Sequence, residues 1–280
     1  MTCRCDSAFA RLVLCTLLAA VCGAPAAAAD LPDDFSLRGP LNPGPVRWDG
    51  VVMGAGIGYS SMNADFGNST SSQVAFILRN TAIEQQYAPS TWTTLPNKTT
   101  DSKSFNIFLG YNWQPTDDLV LGADLAYNRP QHLEADASDS MTRIVTLADG
   151  TVDTATISGA SSAKLVDYMT LRGRAGYAFG QFLPYAILGG ALGRFNYSNT
   201  STVNLDQAPA GGGPHIPFAQ TETQSQNNVF GGGWVFGGGL DVAVTPNIFV
   251  RGEWEYVAFA AVGGTRTSVN TARVGLGLRF

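Results

Sequence analysis

The last ten residues, TARVGLGLRF, alternate strictly between apolar residues and small or charged ones. The apolar positions are Ala272, Val274, Leu276, Leu278 and Phe280, and Arg273, two glycines and Arg279 stand between them. A period of two residues places these two sets on opposite faces of a β-strand. Such a strand needs an apolar environment along one whole side. Here the apolar side ends on an aromatic residue, Phe280.

Seven earlier segments show the same alternation. They span residues 51–59, 105–113, 119–127, 169–179, 185–195, 234–244 and 248–256. In the segment 185–195 the pattern assigns Tyr185, Ile187 and Phe195 to the apolar face and Arg194 to the opposite face. Helical periodicity is nearly absent, so the sequence predicts an all-β fold built from eight strands.

The connections between these strands alternate between short and long. Three are tight turns rich in Pro, Gly and Asp, at 114–118, 180–184 and 245–247. The others are long and polar, near 60–103, 129–166, 197–228 and 258–268. Short turns at one end and long polar loops at the other are typical of an outer-membrane β-barrel, with the long loops extracellular. Aromatic residues near both strand ends predict a girdle at each membrane interface.

A soluble β-sandwich is the main alternative, because it also shows alternating apolar residues and turns. In a sandwich, however, the second face of each strand carries Lys, Glu and Thr for contact with water. Here that face is mostly Gly, Ala and Asn with a few charges, as in a narrow barrel lumen. We therefore predict an eight-stranded antiparallel up-and-down transmembrane β-barrel.

A ten-stranded barrel is the second possibility. Residues 142–157 read as a hairpin that turns at Asp149–Gly150, a favoured two-residue loop. Their apolar positions are too few for contact with lipid, so we place this hairpin above the membrane. Residues 73–79 are apolar enough to form either a strand of the first loop or a short helix.

The N-terminus reads as a secretory signal peptide over residues 1–29. Arg4 and Arg11 precede an apolar run, and an A-x-A site ends at Ala29. An N-terminal anchor helix is less favoured because the run is short. Residues 30–47 contain four prolines and are expected to form a periplasmic N-terminal segment. The barrel then occupies residues 48–280.

Composition excludes several classes of protein. All four cysteines (Cys3, Cys5, Cys15 and Cys22) lie in the predicted signal peptide, so the exported chain has no disulfide framework. Without Arg4, Arg11 and Asp6, the 17 basic and 22 acidic residues leave a net charge near −6. Nucleic acid is therefore not an expected partner. No later segment has the uninterrupted apolar length of a membrane-spanning helix.

Nine charged residues fall on inward-facing positions of the predicted strands. They are Asp124, Arg172, Arg174, Arg194, Asp241, Arg251, Glu253, Glu255 and Arg273. An eight-stranded barrel has a bore just wide enough for side chains, so these charges should pair across the lumen. Unpaired buried charges would be costly, which favours a stabilising network. An ion-selective pore is the alternative.

No catalytic, metal or cofactor site is expected. The glycines of GAGIG at 54–58 lack the spacing and the following helix of a dinucleotide-binding loop. His132 lies near Glu134, and His215 lies in GGGPHIP, but neither is accompanied by the partners that hydrolytic outer-membrane enzymes use. Scattered histidines without cysteines or paired carboxylates give no metal-ligand spacing.

The segment WVFGGGLDVAVTPNIFVRGEWEYVAF (234–259) carries a family resemblance. An inward Asp241, a T-x-N turn at Thr245 and Asn247, and the pattern V-R-x-E-x-x-Y from Val250 to Tyr256 resemble the small outer-membrane immunogenic proteins of alphaproteobacteria, an opacity-type β-barrel family. The segments LPYAILGGALG and RVGLGLRF are also similar to strands of that family.

The resemblance implies an eight-stranded barrel with a periplasmic N-terminus and surface-exposed loops. It also implies that the terminal Phe280 is recognised by the outer-membrane assembly machinery. Roles described for the family are envelope integrity, antigenicity, adhesion, weak porin activity and haemin binding. The family carries no catalytic residues that could be transferred to this chain.

These observations predict a non-enzymatic surface protein of the outer membrane of a Gram-negative bacterium. Its expected role is structural and interactive, as an antigen or adhesin. The alternatives are a small-solute channel and a receptor for haemin or another ligand. Expected partners are outer-membrane lipids and lipopolysaccharide, the assembly machinery, and host or envelope ligands that contact the loops.

Overall fold

The structure is a computed structural model that describes residues 46–92 and 95–280. The predicted signal peptide (1–29) and all but the last two residues of the predicted periplasmic segment (30–47) lie outside the described residues. Within the described part, no helix is both long and apolar enough to cross a membrane.

Nine β-strands and two short α-helices make up this region. The strands are β1 (Gly50–Asp65), β2 (Lys98–Trp113), β3 (Leu119–Pro130), β4 (Leu133–Thr146), β5 (Val152–Tyr177), β6 (Phe182–Ala208), β7 (Ile216–Ala243), β8 (Ile248–Val262) and β9 (Thr265–Arg279). The helices α1 (Ser71–Ile77) and α2 (Ala82–Tyr87) and a 3₁₀ turn (Pro89–Thr91) lie between β1 and β2. The segment 73–79, open between strand and helix in the sequence, is thus mostly helical.

The strands form one closed antiparallel ring with eight strand positions. The pairing order is β3-β2-β1-β9-β8-β7-β6-β5-β4, and β3 also pairs with β5. The second half of β5 pairs with β3, and its first half pairs with β4. β3 and β4 therefore occupy one strand position in succession, separated at 131–132. The eight-stranded up-and-down prediction is confirmed, and the ten-stranded alternative is wrong.

The register around the ring sets the tilt of the strands. Successive partners from Val52 are Gly110, Asp124, Arg172, Gly189, Val235, Val257, Val269 and finally Met62, which lies ten residues further along β1. A stagger of this size in an eight-stranded ring tilts the strands by about 40° from the barrel axis. The interior is consequently only wide enough for side chains.

Four strands continue past the ring and form what we call the extension. It consists of residues 133–146, 152–165, 196–208 and 216–229, paired in the order β4-β5-β6-β7. The sequence assigned most of these residues to the loops 129–166 and 197–228 and predicted a hairpin only over 142–157, which the pairing of β4 with β5 confirms. The structure differs, because only 147–151 and 209–215 connect these strands and only 263–264 separate β8 from β9. The outward positions of β5 and β6 in the extension are mostly Thr, Ser and Asn, so these segments lack the outward apolar stripe that marks a strand in lipid.

The connection between β1 and β2 covers the inner face of the extension. Val74, Ile77 and Leu78 of the α1 region and Ile83 of α2 belong to an apolar cluster with residues of β5 and β6. The sheet contributes Ala155, Ile157, Val203 and Leu205 to that cluster. The apolar cluster of this part therefore lies on the inner face of β5 and β6, together with the buried polar residues Asp153, Ser161, Asn199 and Ser201.

In the ring the outward face is apolar, as predicted for seven of the eight strands. The exception is 185–195, where the prediction is reversed. Tyr185, Ile187 and Phe195 are buried inside, and Leu188 is 68% exposed on the outer face. Both faces of this segment are apolar, so the alternation alone could not show which of them meets the lipid.

The two ends of the barrel chain close against each other. β9 pairs with β1 along fourteen residues, and the Phe280 N–H donates to the Val51 carbonyl at 3.0 Å. Gly50 has a φ of 118°, and a Cβ there would lie 2.2 Å from the Phe280 carbonyl oxygen. Only glycine allows this approach. The Phe280 side chain is 69% exposed on the outer face.

Candidate functional site: a charged layer inside the barrel

Eight of the nine predicted lumen charges meet in one layer inside the ring. They come from five strands: Asp124 from β3, Arg172 and Arg174 from β5, Asp241 from β7, Arg251, Glu253 and Glu255 from β8, and Arg273 from β9. On each strand they occupy inward positions between outward apolar residues, so the strand period directs them to the lumen. Register then brings Asp124 beside Arg172, Asp241 beside Arg251, and Glu253 beside Arg273.

One half of the layer is centred on Asp241. Arg251 binds this carboxylate with two nitrogens, Nε and Nη2, each at 2.8 Å. Arg174 Nη2 donates to the same carboxylate at 2.8 Å. Two parallel guanidinium–carboxylate bonds fix geometry more strongly than a single contact. Asp241 therefore binds one arginine from the adjacent strand β8 and one from β5, two strands away.

The other half is centred on Arg172. Its Nε donates to Asp124 Oδ1 at 2.6 Å, and its Nη1 lies 2.6 Å from Glu253 Oε1 and 2.7 Å from Glu255 Oε2. Arg273 Nη2 lies 2.8 Å from Glu253 Oε1 and 2.5 Å from Glu255 Oε2. Each glutamate thus contacts two arginines, and the pairs form a connected network across the bore.

The layer contains four arginines and four carboxylates, and every one of these side chains is at most 3% exposed. Removing so many charges from water costs several kcal/mol per ion unless each charge is paired and hydrogen-bonded. Equal numbers of the two charges make full pairing possible. The arrangement therefore holds five strands together without leaving an excess buried charge.

The prediction for Arg194 is wrong. It lies on the outer face of β6, and its side chain is 37% exposed. Its Nε donates to Asp167 Oδ1 at 3.1 Å, and Tyr127 Oη donates to Asp167 Oδ2 at 3.0 Å. The cause is the reversed face of the segment 185–195. The nine predicted lumen charges comprise five arginines and four carboxylates, so with Arg194 outside the two signs are equal in number.

Several uncharged residues complete the layer but were not identified from the sequence. Tyr185 Oη donates to Glu253 Oε2 at 2.8 Å, and its ring lies under the Arg174 guanidinium at 3.9 Å. Asn128 accepts a hydrogen bond from Arg273. Tyr168 lies 3.4 Å from Glu255 Oε1. Asn128 lies four residues after Asp124 on β3, so the two-residue period of the strand could have predicted that it faces the lumen.

Apolar side chains close the lumen on both sides of the charged layer. At the end with the short turns, one cluster contains Trp48, Phe108 and Phe249, and the Arg251 guanidinium lies 4.0 Å above the Phe108 ring. Towards the extension, a second cluster contains Met62, Leu165, Phe195 and Phe259. In the described residues, the charged layer is therefore enclosed between two apolar layers.

The histidines lie away from this layer. His132 is exposed at the junction of β3 and β4, and its neighbour Glu134 pairs with Lys164 at 3.3 Å. His215 Nδ1 lies 2.9 Å from Asp206 Oδ2 near the tip of the extension. Across residues 46–92 and 95–280, no group of three or more potential ligands is placed to hold a metal ion.

A family model described as the outer membrane protein beta-barrel domain matches residues 14–280. The chain belongs to this family. The match covers the whole ring and the extension, and it agrees with the closed antiparallel pairing described above. An outer-membrane location follows for the barrel, with the apolar outer face in contact with membrane lipids.

Solved structures similar to this chain include outer-membrane barrels. Ail, the attachment invasion locus protein of Yersinia pestis, is 16% identical; the match covers 83% of this chain and 99% of Ail, with a TM-score of 0.32. Neisserial surface protein A is 15% identical over 82% and 97% of the two chains, with a TM-score of 0.35. OprG from Pseudomonas aeruginosa is 11% identical over 83% and 96%, with a TM-score of 0.33. No curated protein matches the chain significantly.

Proposed function

We propose that this protein is a non-enzymatic surface protein in which the barrel serves as an anchor and the extension as the interaction surface. The observation that carries the proposal is the contrast between a closed lumen and a protruding sheet. Each charge in the layer has an opposite charge within 2.8 Å, and apolar clusters enclose the layer. The strands β5, β6 and β7, with 26, 27 and 28 residues, are far longer than the roughly ten residues that span a membrane.

The chemistry of the extension suits contact with other molecules in water. Its outward face carries Thr pairs, with Thr200 Oγ1 3.0 Å from Thr223 Oγ1 and Thr202 Oγ1 2.8 Å from Thr221 Oγ1. Within the described residues, the β7 segment 216–229 has β6 on one side and no strand on the other. An uncovered strand edge offers backbone N–H and C=O groups to a partner. The proposed surface-interaction role resembles that of the small outer-membrane immunogenic proteins.

The proposed orientation places the extension outside the cell and the short turns in the periplasm. Short periplasmic turns and long external segments are the usual arrangement of such barrels. A cysteine introduced at Gly212, at the exposed tip between β6 and β7, tests this directly. We expect a membrane-impermeant maleimide to label it in intact cells, and labelling only after lysis would contradict the orientation.

Trimming the extension tests the interaction role. Residues 138–160 and 201–222 can be removed because Ala137 pairs with Ser161 and Thr200 with Thr223, so an Asn-Gly turn can rejoin each hairpin. The trimmed barrel should keep its heat-modifiable gel mobility and lose cell adherence to immobilised extracellular-matrix proteins. The matched control shortens only the tip 209–215. Full adherence by the trimmed barrel would eliminate the proposal.

A small-solute channel is the second candidate, supported by the charged lumen. It requires the apolar clusters around Phe249 and Phe259 to move aside. We expect no conductance steps from the purified protein in planar bilayers. Steps in the native protein that are altered in Arg172→Met would favour the channel instead. A catalytic role is not part of the proposal, and unchanged phenotypes of His132→Ala cells would agree with that.

We further propose that the assembly machinery recognises the terminal strand through Phe280. Its ring is exposed on the outer face at the very end of the strand that closes the ring. Deletion of Phe280 should slow insertion into the outer membrane, whereas Phe280→Tyr should leave it nearly unchanged. Insertion of the deleted chain at the normal rate would refute the role.

A further inference from the structure

The outer wall of the barrel bears a groove at its extension-facing end, on strands β1, β2 and β9. The groove has a volume of about 650 Å³. Its outward lining consists of Ile57, Tyr59, Phe105, Ala272 and Val274, with Lys103 and Gln131 at its upper end. Gly58, Ser104, Glu253 and Arg273 of the wall and lumen line its base. The groove is therefore apolar along most of its length and polar at one end.

Two cations stand at the polar end. Lys103 is paired with Tyr59 across β1 and β2, and Arg129 is paired with Phe105 across β2 and β3. Because the Gln131 N–H donates to the Lys103 carbonyl, Lys103 and Arg129 are diagonal neighbours on the same outer face. Both side chains are exposed.

Neither of these cations forms an ion pair with another described residue, whereas two other basic residues at the extension-facing end of the ring do. Arg194 is bound to Asp167, and Lys164 is bound to Glu134. The nearest carboxylate along β2 is Asp101, which is opposite Ser61, two residues further from the membrane than Lys103, and interacts with the Tyr59 hydroxyl rather than forming an ion pair with Lys103. On the membrane side of the cation pair, the outward-facing side chains that line the groove are apolar or aromatic.

From this geometry we infer that the groove binds a phosphorylated glycolipid of the outer leaflet, of the lipid A type. Lys103 and Arg129 contact a headgroup phosphate, and one acyl chain lies along Ile57 and Val274. Aromatic residues mark the depth of the headgroups, so cations beside Tyr59 and Phe105 are at phosphate level. Guanidinium and ammonium groups bind phosphate through charge-assisted hydrogen bonds. The choice of the outer leaflet rests on the proposed orientation.

Native mass spectrometry of the refolded full-length barrel in detergent tests the site with diphosphoryl lipid A as the probe. The variant K103Q/R129Q should bind it about thirtyfold more weakly, since each basic residue near a headgroup contributes about one kcal/mol. The matched control R79Q/R143Q removes one cation from the connection between β1 and β2 and one from β4. It should bind lipid A like the native protein. Ala272→Trp fills the groove without changing charge and should also weaken binding.

Three comparisons decide the outcome. Equal affinity of K103Q/R129Q and R79Q/R143Q would overturn the site. Equal or tighter binding of phosphatidylglycerol than of lipid A would overturn the assignment to an outer-leaflet glycolipid. Monophosphoryl lipid A should bind more weakly than the diphosphoryl form. Because these measurements use purified protein, they are independent of labelling at Gly212, so failure of the orientation and failure of the site can be told apart.

Discussion

The two halves of β5 have opposite polarity. Between 168 and 177 the apolar side chains, such as Met169 and Leu171, point outward, and Arg172 and Arg174 point inward. Between 152 and 165 the apolar side chains Ala155, Ile157 and Leu165 point inward. The outer face of this strand therefore contacts lipid along its second half and water along its first half.

A β-bulge separates the two halves. The pairing of β5 with β6 shifts between Leu165 and Asp167, so Val166 has no partner. An extra residue exchanges the faces of all residues beyond it. The inward positions of β5 are consequently even-numbered in the ring and odd-numbered in the extension. β7 carries a corresponding irregularity at 227–228, where Asn228 has a φ of 58°. The bulges therefore lie where the outward face of the strands changes from apolar in the ring to polar in the extension.

The largest effect is expected from breaking the charged layer. Arg172→Met removes the partner shared by Asp124, Glu253 and Glu255, and leaves fully buried carboxylates without full compensation. Breaking a buried network in this way costs about 3–5 kcal/mol. The temperature at which the folded gel band is lost should fall markedly. Leu188→Met, on the lipid face, is the control, and an unchanged transition in Arg172→Met would contradict a stabilising network.

The next largest loss of stability is expected when a charge is introduced on the lipid-facing surface of the ring. Leu171→Arg places a charge on the lipid face and is expected to destabilise the barrel by about 2–4 kcal/mol. Ala160→Arg places the same charge on the outer, exposed face of the extension and should cost little. Urea unfolding in lipid vesicles compares the two. Similar losses in both variants would mean that the polarity change does not mark the membrane boundary.

A smaller and local effect is expected inside the extension. Ile157→Ala opens a cavity beneath α1, and such truncations cost about 2 kcal/mol where the covering segment can partly collapse onto the site. The charged layer lies elsewhere, so the loss should release the first connection without unfolding the ring. Faster proteolysis within 66–92, with unchanged heat-modifiable mobility, is the expected result. If protease resistance of 66–92 and the heat-modifiable mobility were lost together, the ring and the extension would unfold as one unit.

The smallest effect is expected at Arg194. Its ion pair with Asp167 is partly exposed at the rim, and pairs of this kind contribute at most about 1 kcal/mol. Arg194→Gln should therefore leave the unfolding transition nearly unchanged, in contrast to Arg172→Met. A loss as large as that of Arg172→Met would require Arg194 to act within the lumen after all.

The ring was predictable because lipid imposes a simple rule on every strand. One apolar face recurs at every second position, and eight such faces with alternating turn lengths suffice to assign strand number and most lumen charges. The rule fails where both faces are apolar, which is why Tyr185 and Arg194 were placed on the wrong sides. It also does not apply to the extension, where the residues assigned to loops are largely paired strands.

The sequence by itself determined the eight strands, their closure through 271–280, and eight charges facing inward, because each follows from the period of a single strand. Only the tertiary structure decided how these charges pair, since Arg172 meets Glu253 and Glu255 through register around the ring. It also decided that β5 to β7 continue as a sheet covered by α1 and α2. Those features depend on contacts between residues far apart in the chain, which no local pattern encodes.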